Sequence, residues 1–116
     1  MTEELHEWAR SLDTLLDQTW KRLACGVADR RAPARHPTLA TVDHAGLPQA
    51  RTVVLRSADP DTGQLRIYTD RHADKVDDVQ AHPFAAVHVW DNVAHLQMRL
   101  GAEVEILTGE TLAPVW

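Results

Sequence analysis

The most regular hydrophobic pattern in the chain lies near its N-terminus, where apolar residues recur every three or four positions. This spacing is typical of one buried side of a helix and predicts an amphipathic helix over residues 3–25. Thr2 is the expected N-cap, and Gly26 is the expected C-terminal stop because glycine accepts the left-handed conformation that ends many helices. The apolar stripe contains Leu5, Trp8, Ala9, Leu12, Leu15, Leu16, Trp20 and Leu23.

Beyond this helix the pattern changes to short apolar runs separated by turn residues, which is typical of β-strands. We predict strands over residues 38–42, 48–56, 65–69, 84–90 and 94–100, the last continuing through 102–107 after a bulge at Gly101. Residues 43–46 are predicted to form a turn and residues 58–64 a polar loop. A short helix is expected over 75–81, with Asp74 as its N-cap. The predicted fold class is mainly β: a small barrel of antiparallel strands with an N-terminal amphipathic helix and one short helix between strands.

Length and charge narrow the class of protein. A chain of 116 residues fits a single domain, 1–116, with the barrel strands within 36–107. Its formal charge of −5, without a dense basic stripe, argues against a nucleic-acid partner. Cys25 is the single cysteine, so no disulfide framework is expected. No apolar run is long enough to span a bilayer and the N-terminus does not resemble a signal peptide, so we expect a cytoplasmic protein without a membrane partner.

The segment from Arg51 to Lys75 carries the strongest candidate chemistry. Arg51 and Arg56 bracket an aliphatic run, and Lys75 follows the second strand. Cations and hydroxyls in this arrangement suit a phosphorylated ligand, although arginines at strand ends more often simply reach solvent. Strict alternation would place Arg51 and Arg56 on opposite faces of one strand. Both can therefore serve one ligand only if a bulge or twist intervenes, or if each contacts a different part of an elongated molecule.

Several motifs in order resemble the pyridoxamine 5'-phosphate oxidase family of FMN-binding split barrels, in its branch of oxidase-related flavoproteins. They are RTVVLR from residue 51, IYTD from 67, DK at 74–75, HPFAAVHVW from 82 and LQMRLG from 96. The similarity covers residues 36–107. It implies an FMN-binding split β-barrel that forms a homodimer, with FMN at the interface. Relatives continue past the point where this sequence ends, so it resembles a version truncated at the C-terminus.

The resemblance also implies cofactor-binding residues. Arg51 and Lys75 match the residues that hold the flavin phosphate, and Arg56 matches a basic position nearer the ring and the substrate. Tyr68 and Thr69 match a pair that lies along the flavin, and Gln97 matches a glutamine contributed by the second subunit. The remaining cofactor-binding positions of the first motif are Thr52, Val53 and Val54.

Two departures from the family pattern bear on function. Ala73-Asp74 replaces the Ser-Arg of many relatives, which removes a hydroxyl and a guanidinium and predicts weaker FMN binding. Leu96 stands where the vitamin-processing enzymes carry arginine, and their substrate-phosphate residues lie beyond the end of this sequence. We therefore do not expect true pyridoxamine 5'-phosphate oxidase activity.

Two functions follow. The first is an FMN-dependent oxidoreductase acting on a small-molecule substrate, with no catalytic side chain assigned because the flavin performs the redox step. The alternative is a non-catalytic flavin-binding or dimerisation module. A metal site is not expected: His88 and His95 flank a predicted hairpin and could face each other, but no third ligand lies at a suitable spacing.

Overall fold

The computed structural model describes residues 11–69 and 73–107 as an antiparallel β structure with two α-helices. The helices are α1 (Leu12–Ala28) and α2 (Asp74–Ala81), and a short 3-10 helix covers Pro33–Arg35. The strands are β1 (Thr38–Val42), β2 (Pro48–Thr52), β3 (Leu55–Asp59), β4 (Gln64–Ile67), β5 (Phe84–Asp91) and β6 (Leu96–Glu103). The predicted mainly β class, with one short helix between strands, is confirmed.

Helix α1 begins and ends at different residues from those predicted. Ser11 is its N-cap, in extended conformation, and the Ser11 hydroxyl accepts a hydrogen bond from the Thr14 backbone N–H at 3.2 Å. A single helix over 3–25 is therefore wrong at residue 11, while Thr2 and residues 3–10 lie outside the described residues. The helix also runs past Gly26 to Ala28, where the Arg35 guanidinium donates to the carbonyl oxygens of Gly26 and Val27 at 3.2 and 2.7 Å.

Gly26 is a packing residue inside α1. A Cβ atom at this position would lie 2.5 Å from the Ala34 carbonyl carbon, so only glycine lets the 3-10 helix approach α1 this closely. Gly26 thus allows close packing between α1 and the 3-10 helix, and its predicted role in ending the helix is wrong.

The strands form two separate groups. Four of them make an antiparallel sheet in the order β2-β1-β5-β6, and β3 pairs with β4 in a two-stranded ribbon. The predicted turn between β1 and β2 is confirmed, with Gly46 at a φ of 81° and the Asp43 carboxylate accepting the N–H groups of Ala45 and Leu47. The sheet and the ribbon do not close into a complete barrel within the described residues.

The predicted continuous strand over 48–56 is wrong. Strand β2 ends at Thr52, the Val53 N–H bonds to the Pro37 carbonyl oxygen at 3.0 Å, and the chain begins β3 at Leu55 in the other sheet. The predicted strand 65–69 is shifted, since β4 ends at Ile67, and the predicted loop 58–64 contains the end of β3.

The last hairpin also differs from its prediction. Strand β6 begins at Leu96 because the Asp91 carboxylate caps the turn, accepting the N–H groups of Val93 and Ala94, and because His95 takes a left-handed φ of 53°. Gly101 pairs with Ala86 in unbroken register, so the predicted bulge there is wrong, and the strand ends at Glu103.

The two faces of the four-stranded sheet have different surroundings. The face that we call the covered face packs toward α1, the ribbon and α2, and it carries Leu39, Thr41, Arg51, Val89 and Met98. Val89 and Met98 on this face form the buried core together with Leu23 of α1, Ala34 of the 3-10 helix and Leu55 of β3.

The opposite face, which we call the bare face, exposes Phe84 at 60% and Trp90 at 53%. Strand alternation assigns these residues to that face, together with Ala40, Val42, Ala50, Ala86, His88, Gln97, Arg99 and Gly101. Neither helix has the length and apolar character needed to cross a bilayer, as far as residues 11–69 and 73–107 go.

Candidate functional site

Arg51 lies on β2 opposite Leu39 and is held by three acceptors. Its Nη1 donates to the Leu39 carbonyl oxygen at 3.2 Å and to Thr41 Oγ1 at 2.7 Å, and its Nη2 lies 3.3 Å from Asp78 Oδ2. The arginine side chain is 24% exposed. The guanidinium is therefore fixed in orientation, and the side chain as a whole stays partly open to solvent.

Thr41 and Asp78 form a hydrogen-bonded triangle with Arg51. Thr41 Oγ1 donates to Asp78 Oδ2 at 2.8 Å, so each member of the group contacts the other two. Thr41 is 2% exposed and Asp78 is 5% exposed. We call these three residues the Arg51 triangle. It joins the β1–β2 hairpin to α2.

Lys75 lies on α2, the helix that also bears Asp78. It precedes Asp78 by three positions, and residues spaced three apart lie on one helix side with Cβ atoms ~5–6 Å apart. Because Asp78 touches Arg51, the fold brings Lys75 and Arg51, two of the sequence-predicted residues, to one part of the molecule. Lys75 forms no ion pair with any residue that the structure describes.

The number of N–H groups on Arg51 that remain without a protein acceptor decides whether an anion can also bind there. A guanidinium has five N–H groups, and the contacts to Leu39, Thr41 and Asp78 use three of them. The other two make no hydrogen bond with the described residues. A phosphate oxygen could therefore be bound without breaking the Arg51 triangle, although Asp78 already balances one positive charge.

The residues that follow Arg51 form the crossing between the two sheets. Thr52 is exposed at the end of β2, Val53 is buried with its backbone N–H engaged, and Val54 is half-buried. Val53 thus contributes packing, and any contact that it makes to a ligand would come from the backbone.

Arg56 lies in the ribbon, and the register between β3 and β4 shifts there. Leu55 pairs with Ile67 and Ser57 with Arg66, which leaves Arg56 as the bulged residue. Tyr68 and Thr69 directly follow Ile67, so Arg56 lies at the same end of the ribbon as this pair. Since β2 ends at Thr52, the alternation argument for one continuous strand does not apply to Arg51 and Arg56.

Gln97 is not brought together with the other predicted residues. It lies on β6, three strands from β2, which at ~4.8 Å per strand is at least ~14 Å away. It also belongs to the bare face, where its Oε1 lies 2.9 Å from His88 Nε2. Within one chain, Gln97 and Arg51 cannot contact the same small group.

The start of α2 differs from its prediction. Ala73 is the N-cap and Asp74 is the first helical residue, so the predicted capping role of Asp74 is wrong. Alanine has no acceptor side chain, and the first backbone N–H groups of α2 receive no side-chain cap from Ala73. The exposed Asp74 carboxylate lies in the first turn.

Sequence reasoning missed Thr41 and Asp78. Asp78 had one usable signal: it lies between Val76 and Val79 on the buried side of α2, where an aspartate needs a partner. No sequence signal pointed to Thr41, because threonine is common in β-strands. Identifying the partner of Asp78 required the packing of α2 on the hairpin.

The histidines do not form a metal site among the described residues. His88 bonds to Gln97, while the His95 ring meets Trp90 edge-on with centroids 6.3 Å apart, so the two histidines do not face each other. No group of three or more His, Cys, Asp or Glu side chains in this part of the chain is arranged to hold a metal ion.

Residues 5–108 match the family described as pyridoxamine 5'-phosphate oxidase, FMN-binding domain. The chain is 36% identical to the pyridoxine/pyridoxamine 5'-phosphate oxidase of Chromohalobacter salexigens over 95 residues, which is 82% of this chain and 42% of the relative. It is 33% identical to that of Microcystis aeruginosa over 109 residues, which is 93% of this chain and 49% of the relative. The chain thus spans less than half the length of each.

A solved structure is also similar. The pyridoxamine 5'-phosphate oxidase-related, FMN binding protein of Nostoc punctiforme superposes with a TM-score of 0.57 at 29% identity, covering 86% of this chain and 48% of that one. This likeness confirms the predicted split-barrel class, with a sheet that the described residues leave open.

Proposed function

This chain belongs to the pyridoxamine 5'-phosphate oxidase FMN-binding domain family, and we propose that it binds FMN with the phosphate held by Arg51 and Lys75. The observation that carries the proposal is the contact between Arg51 and Asp78, which joins β2 to the helix that bears Lys75. Two cations near one another, one of them held in orientation, provide charge-assisted hydrogen bonds of the kind that phosphate oxygens accept.

The rest of an elongated ligand would extend toward the ribbon. Arg56, Tyr68 and Thr69 lie at one end of that ribbon, and residues 52–54 link it to Arg51. In the proposed complex, Arg51 and Lys75 bind the phosphate, the crossing residues contribute backbone groups, and Arg56 with Tyr68 and Thr69 contacts the sugar alcohol and the ring.

We further propose that FMN lies at the interface of a homodimer. Gln97 faces away from Arg51 within one chain, so the two can serve the same ligand only if Gln97 comes from another copy. The bare face offers a surface for that copy, because small residues at its centre allow close approach and Phe84 and Trp90 expose aromatic area.

The proposed activity is an oxidoreductase acting on a small molecule. The flavin ring, when bound, supplies the hydride or electron transfer. The residues of this chain would bind the phosphate, orient the ring and limit access of water. Family membership and the cation pair support this proposal. The proposed substrate is a small molecule, without a narrower class.

One observation favours the alternative of a non-catalytic flavin-binding or dimerisation module. The buried Asp78 carboxylate already neutralises Arg51, and Asp74 adds a negative charge one residue from Lys75. These carboxylates lower the net positive charge available to a phosphate. Such a module would hold flavin weakly, without turnover.

The test is a titration of the purified protein with FMN, followed by its absorption spectrum and by quenching of flavin fluorescence. We expect about one FMN per chain, and we expect Arg51→Ala to weaken binding about 10- to 100-fold because a charged hydrogen bond is lost. Arg30→Ala is the control, since Arg30 is exposed and lies in the turn after α1.

Two outcomes would contradict the proposal. A wild-type protein that binds no FMN would remove the flavin function altogether. Equal affinities for wild type and Arg51→Ala would mean that the phosphate binds elsewhere. Turnover of an electron donor by the flavin-loaded protein would then separate the oxidoreductase from the module.

A further inference from the structure

We propose that Asp78, together with Thr41, is a positioning residue that presents Arg51 and Lys75 as one phosphate-binding unit. The inference rests on the proposed FMN function. It says that two residues outside the predicted site make the protein prefer a flavin that carries a phosphate. Neither Asp78 nor Thr41 is expected to touch the ligand. They act through the Arg51 triangle.

The first step is the orientation of the guanidinium. Asp78 Oδ2 accepts from Arg51 Nη2 and from Thr41 Oγ1, while Thr41 Oγ1 accepts from Arg51 Nη1. Arginine otherwise has several rotatable bonds and would spend most of its time in other rotamers. With three fixed contacts, including the Leu39 carbonyl oxygen, its remaining N–H donors are held in one direction.

The second step is the position of α2. This helix has only eight residues, which is too short to be stable alone, so its placement depends on tertiary contacts. Val76 and Val79 supply apolar burial, and Asp78 supplies the specific polar contact with the hairpin. Lys75 is carried on the same helix side, so the contact that fixes Arg51 also fixes the second cation.

The third step concerns the charge of Asp78. A carboxylate close to a phosphate would oppose binding if it faced the ligand. The Asp78 side chain is only 7% exposed and its Oδ2 is directed at Arg51 and Thr41. Its effect on binding is therefore expected to come mainly through the geometry of Arg51, with the guanidinium between the two anions.

These steps predict a change in the preference for FMN over riboflavin, which differ only in the phosphate. Loss of positioning should weaken FMN and leave riboflavin unchanged. A merely structural role would lower stability and affect both flavins alike. The ratio of the two dissociation constants therefore measures positioning separately from folding.

The experiment measures both dissociation constants by fluorescence quenching for wild type, Asp78→Ala, Asp78→Asn and Thr41→Val. For Asp78→Ala we expect the preference for FMN to fall about tenfold, the size of effect that follows loss of a charged contact. Asp78→Asn keeps an acceptor oxygen and should stay within about threefold of wild type. Thr41→Val keeps the shape of the side chain and the charge of Asp78, and should lower the preference about threefold to tenfold.

An unchanged preference in Asp78→Ala would overturn the inference, and so would a rise in both Asp78 variants, which would make Asp78 a charge that opposes the phosphate. If Asp78→Ala does not fold, Thr41→Val decides, and an unchanged preference there overturns the inference. Wild type that binds neither flavin would instead overturn the proposed function, and this inference with it.

Discussion

The two faces of the four-stranded sheet differ in how far the rest of the chain buries them. The covered face buries Val89 and Met98 against α1, and it holds its one described arginine, Arg51, by three contacts. The bare face, made from the same strands, exposes Phe84 and Trp90 and has alanines and a glycine at its centre. The covered face thus packs against the chain's own residues, whereas the bare face leaves two aromatic side chains more than half exposed.

Two glycines test the difference: Gly26 lies in α1, which packs on the covered side of the sheet, and Gly101 lies on the bare face. On the covered side, a Cβ at Gly26 would meet the Ala34 backbone at 2.5 Å, whereas nothing lies within 4 Å of a Cβ at Gly101. Gly26→Ala should destabilise the protein by about 1–3 kcal/mol, even though alanine favours helix by up to about 1 kcal/mol. Gly101→Ala should change the free energy of unfolding by less than about 0.5 kcal/mol.

Urea unfolding of both variants measures this comparison. Equal stabilities for the two variants would mean that the contact between α1 and the 3-10 helix has room to yield. A large loss in Gly101→Ala would mean instead that another chain covers the bare face closely, which would sharpen the dimer proposal.

Gly26 also illustrates what local sequence can and cannot predict. The strands 38–42 and 84–90 were predictable because alternation and β-branched residues are local signals, and β1 and β5 lie there. The role of Gly26 was not, because a glycine near the end of a helical pattern usually stops the helix, and only the approach of Ala34 reveals another reason.

The same limit applies to the candidate site. RTVVLR has the composition of one continuous strand, but the hydrogen bond from Val53 to Pro37 ends β2 and passes the chain to the second sheet. The partners of Arg51 lie 10, 12 and 27 positions away along the chain. Local patterns identified the cations, and tertiary packing determined what holds them.

The next prediction concerns the bare face directly. Trp90→Asp replaces an exposed aromatic side chain of this face by a negative charge. If a homodimer buries this face, we expect the dimer dissociation constant to rise at least about tenfold. Within the monomer, Trp90 has an edge-on contact with His95, so folding should be little affected. Sedimentation of the two proteins over a range of concentrations measures the change.

Thr62→Asp is the matched control, since it adds the same charge to an exposed loop position. A wild-type protein that sediments as a monomer at every concentration would contradict the dimer proposal. So would a Trp90→Asp protein that dimerises as well as the control, because the bare face would then not be the interface.

The smallest expected effect concerns the β1–β2 hairpin turn, which supports both faces. The Leu47 backbone N–H, then the Gln49 side chain and the Ala45 N–H, donate to the Asp43 carboxylate and lower its pKa below the ordinary 3.8. Because the folded pKa is depressed, this contribution to stability is present above the unfolded pKa and is lost as pH falls through the folded pKa. Thermal unfolding should therefore show Asp43→Ala below wild type near neutral pH and the gap closing on acidification. Asp43→Asn, which cannot ionise, is the control and should lose no stability from this site on acidification. If the difference in stability between Asp43→Ala and wild type is the same at neutral and strongly acidic pH, the ionised carboxylate does not stabilise the turn.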